Sequence, residues 1–369
     1  MSFLLTSLTF GSIMQSWCEN VAALALSERR KIMKNGKATI KDIAREAGVS
    51  ISTVSRAINN AGRIDPKTKQ HIEKIIQELD YSPNTAAQSL KTQKTRNIVL
   101  IVPDITNPFY SNLAKELQIL VKSKNYILTL FNTNENLSEE MCAIASAKEI
   151  SAGGIVFASV AEQRCVVEAL LGLCIPSVLL NSYAACELDC VHGANNLGTY
   201  IAAKHLLEAG HRRIAFIGGT RGTRVATSRK GGYIQALTEA GITIDENLLF
   251  EMGFSEDVGY KGAKYLSTVS PLPTAICCAN DIIAMGVLSA LHEMKISVPE
   301  QISVTGMDDI IYSRISSPPL TSVTNDSKEF AHESFRLLFE RIENGEDIPP
   351  REIIIDRHLV ERESVAKLL

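Results

Sequence analysis

Between Ala44 and Asn59 the chain reads AREAGVSISTVSRAIN, the stretch whose residue types and spacing carry the clearest chemistry. A small residue stands where two helices would cross (Ala44), a glycine supplies the turn (Gly48), and Val49 and Val54 lock the pair. The second helix begins polar and exposed. This is the pattern of a helix-turn-helix, whose second helix can enter a nucleic-acid groove. Small-residue helical hairpins with a glycine turn also occur in plain bundles, so the pattern alone leaves both readings open.

The other candidate chemistries fail on spacing. IGGTRG departs from G-x-G-x-x-G at Thr220 and Arg221, and HEMKI and HESFR each lack the second His of H-E-x-x-H. No G-x-S-x-G elbow or P-loop occurs. The eight cysteines (Cys18, Cys142, Cys165, Cys174, Cys186, Cys190, Cys277, Cys278) form no CxxC pair. The CxxxC at 186 and 190 has no second pair or His cluster to complete a zinc site. The expectation is a non-enzyme without metal or cofactor, its thiols reduced in a cytoplasmic setting.

Charge supports an anion-binding arm. Residues 37–96 hold 11 basic and 6 acidic side chains, residues 97–369 hold 23 and 33, and the first 36 hold 4 and 2. A basic block thus precedes an acidic body, although a charge run is also how an ordinary solvated face looks. No window offers the ~20 unbroken apolar residues of a membrane span.

The elements that must position these residues follow from periodicity. Thr39 with Asp42 forms a capping-box variant ahead of IKDIAREA, whose Ile40, Ile43, Ala44 and Ala47 share a face. Ser50 caps STVSRAINN, with Val54 and Ile58 inward. Asp65-Pro66 opens a third helix with Ile72, Ile75, Ile76 and Leu79 inward. Ser82-Pro83 then starts NTAAQSLK, about two turns that are marginal without a packing partner, and KTQKTR reads as a linker.

After Asn97 the apolar runs NIVLIVP, YILTLF, GGIVFA and PSVLLN, then RIAFIGG, TAICCA and ISVTGM, alternate with helical stretches. That alternation predicts doubly wound parallel sheets, and about ten strands favour two α/β lobes with a ligand cleft at the strands' carboxyl ends. MSFLLTSLTFGSIM lacks the basic flank and cleavage site of a signal peptide. Residues 1–36 read as a disordered or mis-assigned extension with Met33 the expected start, a genuine extension being the alternative.

ATIKDIAREAGVSISTVSRAIN followed by ELDYSPNTAAQSLK resembles the DNA-binding and hinge segments of the lactose-repressor/galactose-repressor family. The resemblance runs on through IVPDITNPFY, HLLEAGHRRIAFIGG, ANDIIAMGVL, GMDDI, SSPPLTSV and RHLVERESVA, from Ala38 to Ala366. It implies a fold of a small all-α helix-turn-helix domain plus a two-lobed, periplasmic-binding-protein-like doubly wound α/β core. The implied domains are residues 37–82 for DNA binding and 83–96 for hinge helix and linker. The core is 97–369: lobe 1 at about 97–191 plus 325–356, lobe 2 at about 192–324 plus 357–369.

The same resemblance implies roles. Ser50, Ile51, Ser52, Thr53, Ser55, Arg56 and Asn59 start or line a recognition helix; Arg56 is suited to guanine O6 and N7, and Ile51 and Ser52 to variable base reading. Thr39, Ser50, Thr53, Asn59 and Thr68 suit phosphate contacts, and Arg63 joins the DNA-binding set. Tyr81, Asn84, Ala87 and Leu90 match a hinge helix whose leucine wedges into the minor groove. In the core, Arg229 and Asp281 match effector-holding positions, Phe109, Tyr110 and Phe254 face the ligand, and Asn181 and Asn280 are polar partners. One departure stands out: VHGANN replaces the usual Asp-Asn pair after Val191, so that His192 and Gly193-Ala194 are expected to alter the subdomain crossover or the pocket rim.

The expected protein is a repressor that binds palindromic operator DNA as a homodimer under control of a sugar or related metabolite. VAKLL brings no leucine heptads, which favours a dimer over a tetramer. A solute-binding protein for sugar uptake shares the implied core but would not need residues 38–95. An oxidoreductase on a doubly wound sheet is the third class.

Overall fold

Thr39 opens the first helix: the Asp42 carboxylate accepts its backbone N–H at 2.9 Å and its hydroxyl at 2.7 Å. Those bonds, the Thr39 hydroxyl first, hold the Asp42 carboxyl below its usual range. The computed structural model describes residues 38–59 (with no account of the Asn59 side chain), 64–79, 81, 96–159, 163–181, 187–345 and 348–368. The chain divides into two units, residues 1–93 and 94–369.

In the smaller unit the described helices are α1 (Ile40–Glu46), α2 (Ile51–Asn59) and α3 (Pro66–Glu78). Gly48 takes φ +64° between α1 and α2, a left-handed turn that a side chain would strain. Asp65 caps α3 by accepting the Thr68 N–H at 3.1 Å, with Pro66 at the first helical position. Ile43, Val54 and Ile72, one from each helix, are fully buried together with Ala44, Ala57 and Ile75. Ile40, Ala47, Ile58 and Ile76 are half-buried around them. Leu79, expected inward, is exposed: α3 ends at Glu78, and Leu79 is its cap, outside the inward stripe.

The larger unit contains β1 (Asn97–Val102), α4 (Pro108–Ser123), β2 (Ile127–Asn132), α5 (Leu137–Glu149), β3 (Gly154–Ala158), α6 (Arg164–Gly172), β4 (Ser177–Leu180) and β5 (Asp189–His192). There follow α7 (Asn195–Glu208), β6 (Ile214–Gly218), α8 (Arg224–Glu239), β7 (Leu249–Glu251), α9 (Glu256–Leu266), β8 (Ala275–Cys278), α10 (Asp281–Glu293) and β9 (Ser303–Asp308). The remainder is α11 (Ile311–Ile315), β10 (Thr321–Thr324), α12 (Ser327–Asn344), β11 (Glu352–Ile354) and β12 (Leu359–Val360).

Two six-stranded sheets result, ordered β11-β5-β4-β3-β1-β2 and β12-β10-β9-β8-β6-β7. The described pairings are parallel except β10 with β12, as buried, Val- and Ile-rich strands joined by helices require. The seven apolar runs marked as strands are β1–β4, β6, β8 and β9. The first sheet carries a core on each face, one closed by α4 and α12 through Leu113, Leu117, Phe330 and Leu338. The second sheet is enclosed by one continuous core.

The chain passes between the sheets three times: from β5 into α7, from β10 into α12, and from β11 into β12. Arg357 gathers these crossings. It lies on the third, donates from Nε to the Gly193 carbonyl on the first, and from Nη1 to the Thr324 carbonyl (3.0 Å) on the second. His192 is buried beside it, with Nε2 2.7 Å from a Glu352 carboxylate oxygen and Nδ1 accepting the Ala194 N–H.

Candidate functional site

On α2, Ile51, Ser52 and Arg56 are exposed, Ser50 precedes them exposed, and Thr53 and Ser55 are half-buried. Val54 and Ala57 turn inward, which places Ser52 and Arg56 on the opposite, outer side, while Ile51 is exposed at the first turn. The Ser50 hydroxyl sits 2.7 Å from that of Ser52 and 2.8 Å from that of Thr53, and it accepts the Thr53 N–H at 3.2 Å. Three hydroxyls therefore cluster at the helix start, where unpaired N–H groups favour an anion. Thr39 is exposed and Thr68 half-buried at the starts of α1 and α3, and Tyr81 is half-buried against the helical core. Arg63, Asn84, Ala87 and Leu90, and the Asn59 side chain, lie outside the described residues.

In the larger unit a cavity of about 260 Å³ opens between the carboxyl ends of the two sheets. Phe109, Tyr110, Asn181, Arg229, Phe254 and Asn280 line it, as does Asp308. Six of the seven effector residues expected from sequence thus come together.

Arg229, on α8, is buried and heavily committed. It donates from Nη1 to the Ala279 carbonyl (2.7 Å) and from Nε to Asn195 Oδ1 (3.3 Å). Its Nη2 stands 3.8 Å from Asp308 Oδ1, and its guanidinium lies 5.4 Å from the Phe254 ring centre. Asn280 caps α10 by accepting the Ile283 N–H at 2.8 Å and donates to the Phe254 carbonyl at 3.2 Å, which fixes the aromatic wall. Phe109 is nearly all core, packed edge-on to Tyr110 and Phe330, so it presents only a margin to the cavity. Desolvation holds the Tyr110 phenol above its ordinary range, so it stays protonated.

Asp281 is a correction. Its side chain is fully buried away from the cavity, accepting Ser322 Oγ and Ser313 Oγ at 2.6 Å each and the Ile310 N–H at 3.0 Å. Asn280 takes the capping position facing the cleft, so the next residue is rotated about 100° round the helix toward β9 and β10. Burial, reinforced by the charge of Asp308, pushes the Asp281 carboxyl up to about 7.

The buried carboxylate that does line the cleft is Asp308, at the end of β9, with φ 110°. A non-glycine residue there is strained, and such strain gathers at functional sites. Asp308 Oδ1 accepts Asn325 Nδ2 at 3.0 Å. Burial raises its carboxyl while Arg229 and Arg357 oppose that shift.

Sequence reasoning also missed Asp104, Asn107, Glu135, Thr220 and Asn325 in the lining. The available signal was position: most follow a strand's carboxyl end by one to three residues. His192, Gly193 and Ala194 do not line the cavity, so the VHGANN departure acts at the crossover and not at the rim.

A family model for bacterial regulatory proteins of the lacI family matches residues 39–84, and one for a periplasmic-binding-protein-like domain matches residues 203–365. The HTH-type transcriptional regulator DegA of Bacillus subtilis (strain 168) is 35% identical over 336 residues, covering 90% of this chain and 99% of DegA. The HTH-type transcriptional repressor PurR of Vibrio atlanticus (strain LGP32) is 34% identical over 335 residues, with 90% and 99% covered. A solved lac repressor dimer bound to operator and the anti-inducer ONPF shares the fold, with TM-score 0.80 at 23% identity, covering 90% of this chain and all of that one.

Proposed function

The chain belongs to the lacI family of bacterial regulatory proteins, and from that premise we propose that it is a transcriptional repressor binding palindromic operator DNA as a homodimer, controlled by a small metabolite in the cleft. The observation that carries this reading is the pairing, in one chain, of an outward polar helix start with a buried polar cleft at the carboxyl ends of two sheets. Relatives that span nearly their whole length with it are regulators, which favours regulation over solute uptake or hydride transfer.

In this reading α2 enters the major groove. Arg56 grips guanine O6 and N7, Ile51 and Ser52 read adjacent bases, and the hydroxyls of Thr39, Ser50, Thr53 and Thr68 hold phosphates. Arg63, Ser55, Asn59, Tyr81, Asn84, Ala87 and Leu90 complete the DNA-binding set, with residues 37–82 the reading domain and 83–96 the hinge. Phe254 and Tyr110 sandwich the effector while Arg229, Asn181 and Asp308 bond its polar groups. Because the cleft is built from both lobes, a ligand that bonds across it favours one lobe arrangement over another. DNA affinity then changes only by the ligand's differential binding to the two arrangements.

The test is selection of genomic fragments by the full-length protein at near-physiological salt, with and without a metabolite extract. Enrichment of one inverted repeat, altered in strength by the extract, is the expected result. Uniform, salt-labile binding under both conditions overturns the reading.

A further inference from the structure

The polar groups of the cleft are unbalanced in a way that selects a ligand charge. Its described charged lining is Asp104, Glu135 and Asp308 against Arg229 alone. Arg229 commits Nε and Nη1 to neutral protein acceptors, its Nη2 stands 3.8 Å from Asp308 Oδ1 within reach of a ligand hydroxyl, and the Asp308 charge is answered by Arg229 and Arg357. That leaves Asp104 and Glu135 at the lobe-1 side of the opening without a described cation among the lining residues. Among the described residues the Asp104 carboxylate accepts from its neighbour Thr106, through the backbone N–H at 2.9 Å and the hydroxyl at 2.7 Å. Partial desolvation, and then the Asp104 charge, holds the Glu135 carboxyl above its ordinary range.

Deeper in, two side-chain amides lack a partner for their oxygens. Asn181 Oδ1 and Asn325 Oδ1 are both buried and unbonded, in side chains only 5% and 4% exposed. Both residues line the cavity. Leaving a buried acceptor unpaired is costly, and a ligand N–H or O–H recovers that cost. Asn325 donates one amide N–H to Asp308, and its Oδ1 is the acceptor left without a partner.

Resting on the effector reading above, we infer that the ligand is a small cationic metabolite: an amine-bearing polyol or amino sugar. Its ammonium sits between Asp104 and Glu135, and its hydroxyls donate to Asn181 Oδ1, Asn325 Oδ1 and Asp308. The ring or chain lies along Phe254. A phosphate ester or a free carboxylate meets acids at the opening, acceptors at the floor and a single guanidinium already paired with Asp308, so the same cleft disfavours it.

The test is equilibrium dialysis of the full-length protein against an equimolar mixture of D-glucosamine, D-glucose and D-glucose 6-phosphate, three rings differing chiefly in charge. Retained compounds are measured by mass spectrometry. Glucosamine is expected to be retained about tenfold over glucose, with no retained phosphate ester. Glu135→Gln should bring amine and neutral hexose to near parity, and Glu135→Lys should reverse the order toward the ester. Retention of glucose or its phosphate at or above the amine, or of none of the three at millimolar concentration, overturns the inference. Phe254→Ala separates the two levels. If it abolishes binding of a neutral or anionic probe, the cleft reading stands and the charge inference falls. If amine binding survives it unchanged, the cleft is not the site and both fall.

Discussion

The Arg357 guanidinium donates to the Gly193 carbonyl from 164 residues further along the chain, and a Cβ on residue 193 would lie 2.5 Å from Arg357 Nη2. The missing side chain at 193 is therefore what admits the arginine to the crossing, where it also holds Thr324 and faces Asp308.

Gly193→Ala should displace Arg357 and destabilise the larger unit by about 1–3 kcal/mol, through lost hydrogen bonds and an uncompensated buried charge. Urea unfolding followed by near-ultraviolet circular dichroism measures this. A midpoint equal to that of the parent protein would show that the crossing tolerates the arginine elsewhere.

Asp281 sets a pH dependence whose sign is fixed by its raised pKa. The folded state binds the proton more tightly than the unfolded chain, so this group stabilises the fold at low pH. Stability then falls as pH rises between about 4 and 7 and levels off above. Asp281→Asn should remove that decline from a series of urea midpoints. If the slope persists undiminished, another buried acid is responsible, with Asp308 the first candidate because burial raises it too.

Arg229→Ala is expected to abolish the effector response while operator affinity in the absence of effector stays within a few-fold. The reason is that its partners are the cleft wall and Asp308, all inside the larger unit. Gel shifts with and without metabolite extract read both quantities. Loss of operator binding itself would make Arg229 a structural residue.

Arg56→Ala should weaken operator binding by about 1–3 kcal/mol and relax preference at one base pair of each half-site, since a bidentate contact discriminates by that amount. Thr68→Ala should weaken all sequences alike. Competition between the selected operator and single-base variants distinguishes the two outcomes. Equal loss on every sequence for Arg56→Ala would place that side chain on the phosphates.

Local rules carried far along this chain. Strand-length apolar runs became strands because a parallel sheet buries both faces, and Ile43, Val54 and Ile72 met because helical spacing allowed little else. The site was legible by type and less so by pointing. Asn280 and Asp281 are adjacent polar residues at one helix start, and only the packing of β9 and β10 decides which faces the cleft. Asp308 was hidden within GMDDI because nothing local tells a strand-end carboxylate from a turn residue. Leu79 misled for a related reason: helical spacing predicts a face only while the helix continues.

Helix α12 closes the first sheet, with Phe330, Leu337 and Leu338 lying on the face that holds Val156, Val178 and Leu180. Yet it is synthesised only after the chain has left that sheet at β5 and built nearly all of the other. About 150 residues separate the two events, so at ribosomal rates the half-finished sheet waits roughly 8 to 30 s for its cover. The order of elements along this chain thus sets an interval during synthesis in which the apolar face of the first sheet has no α12 to cover it.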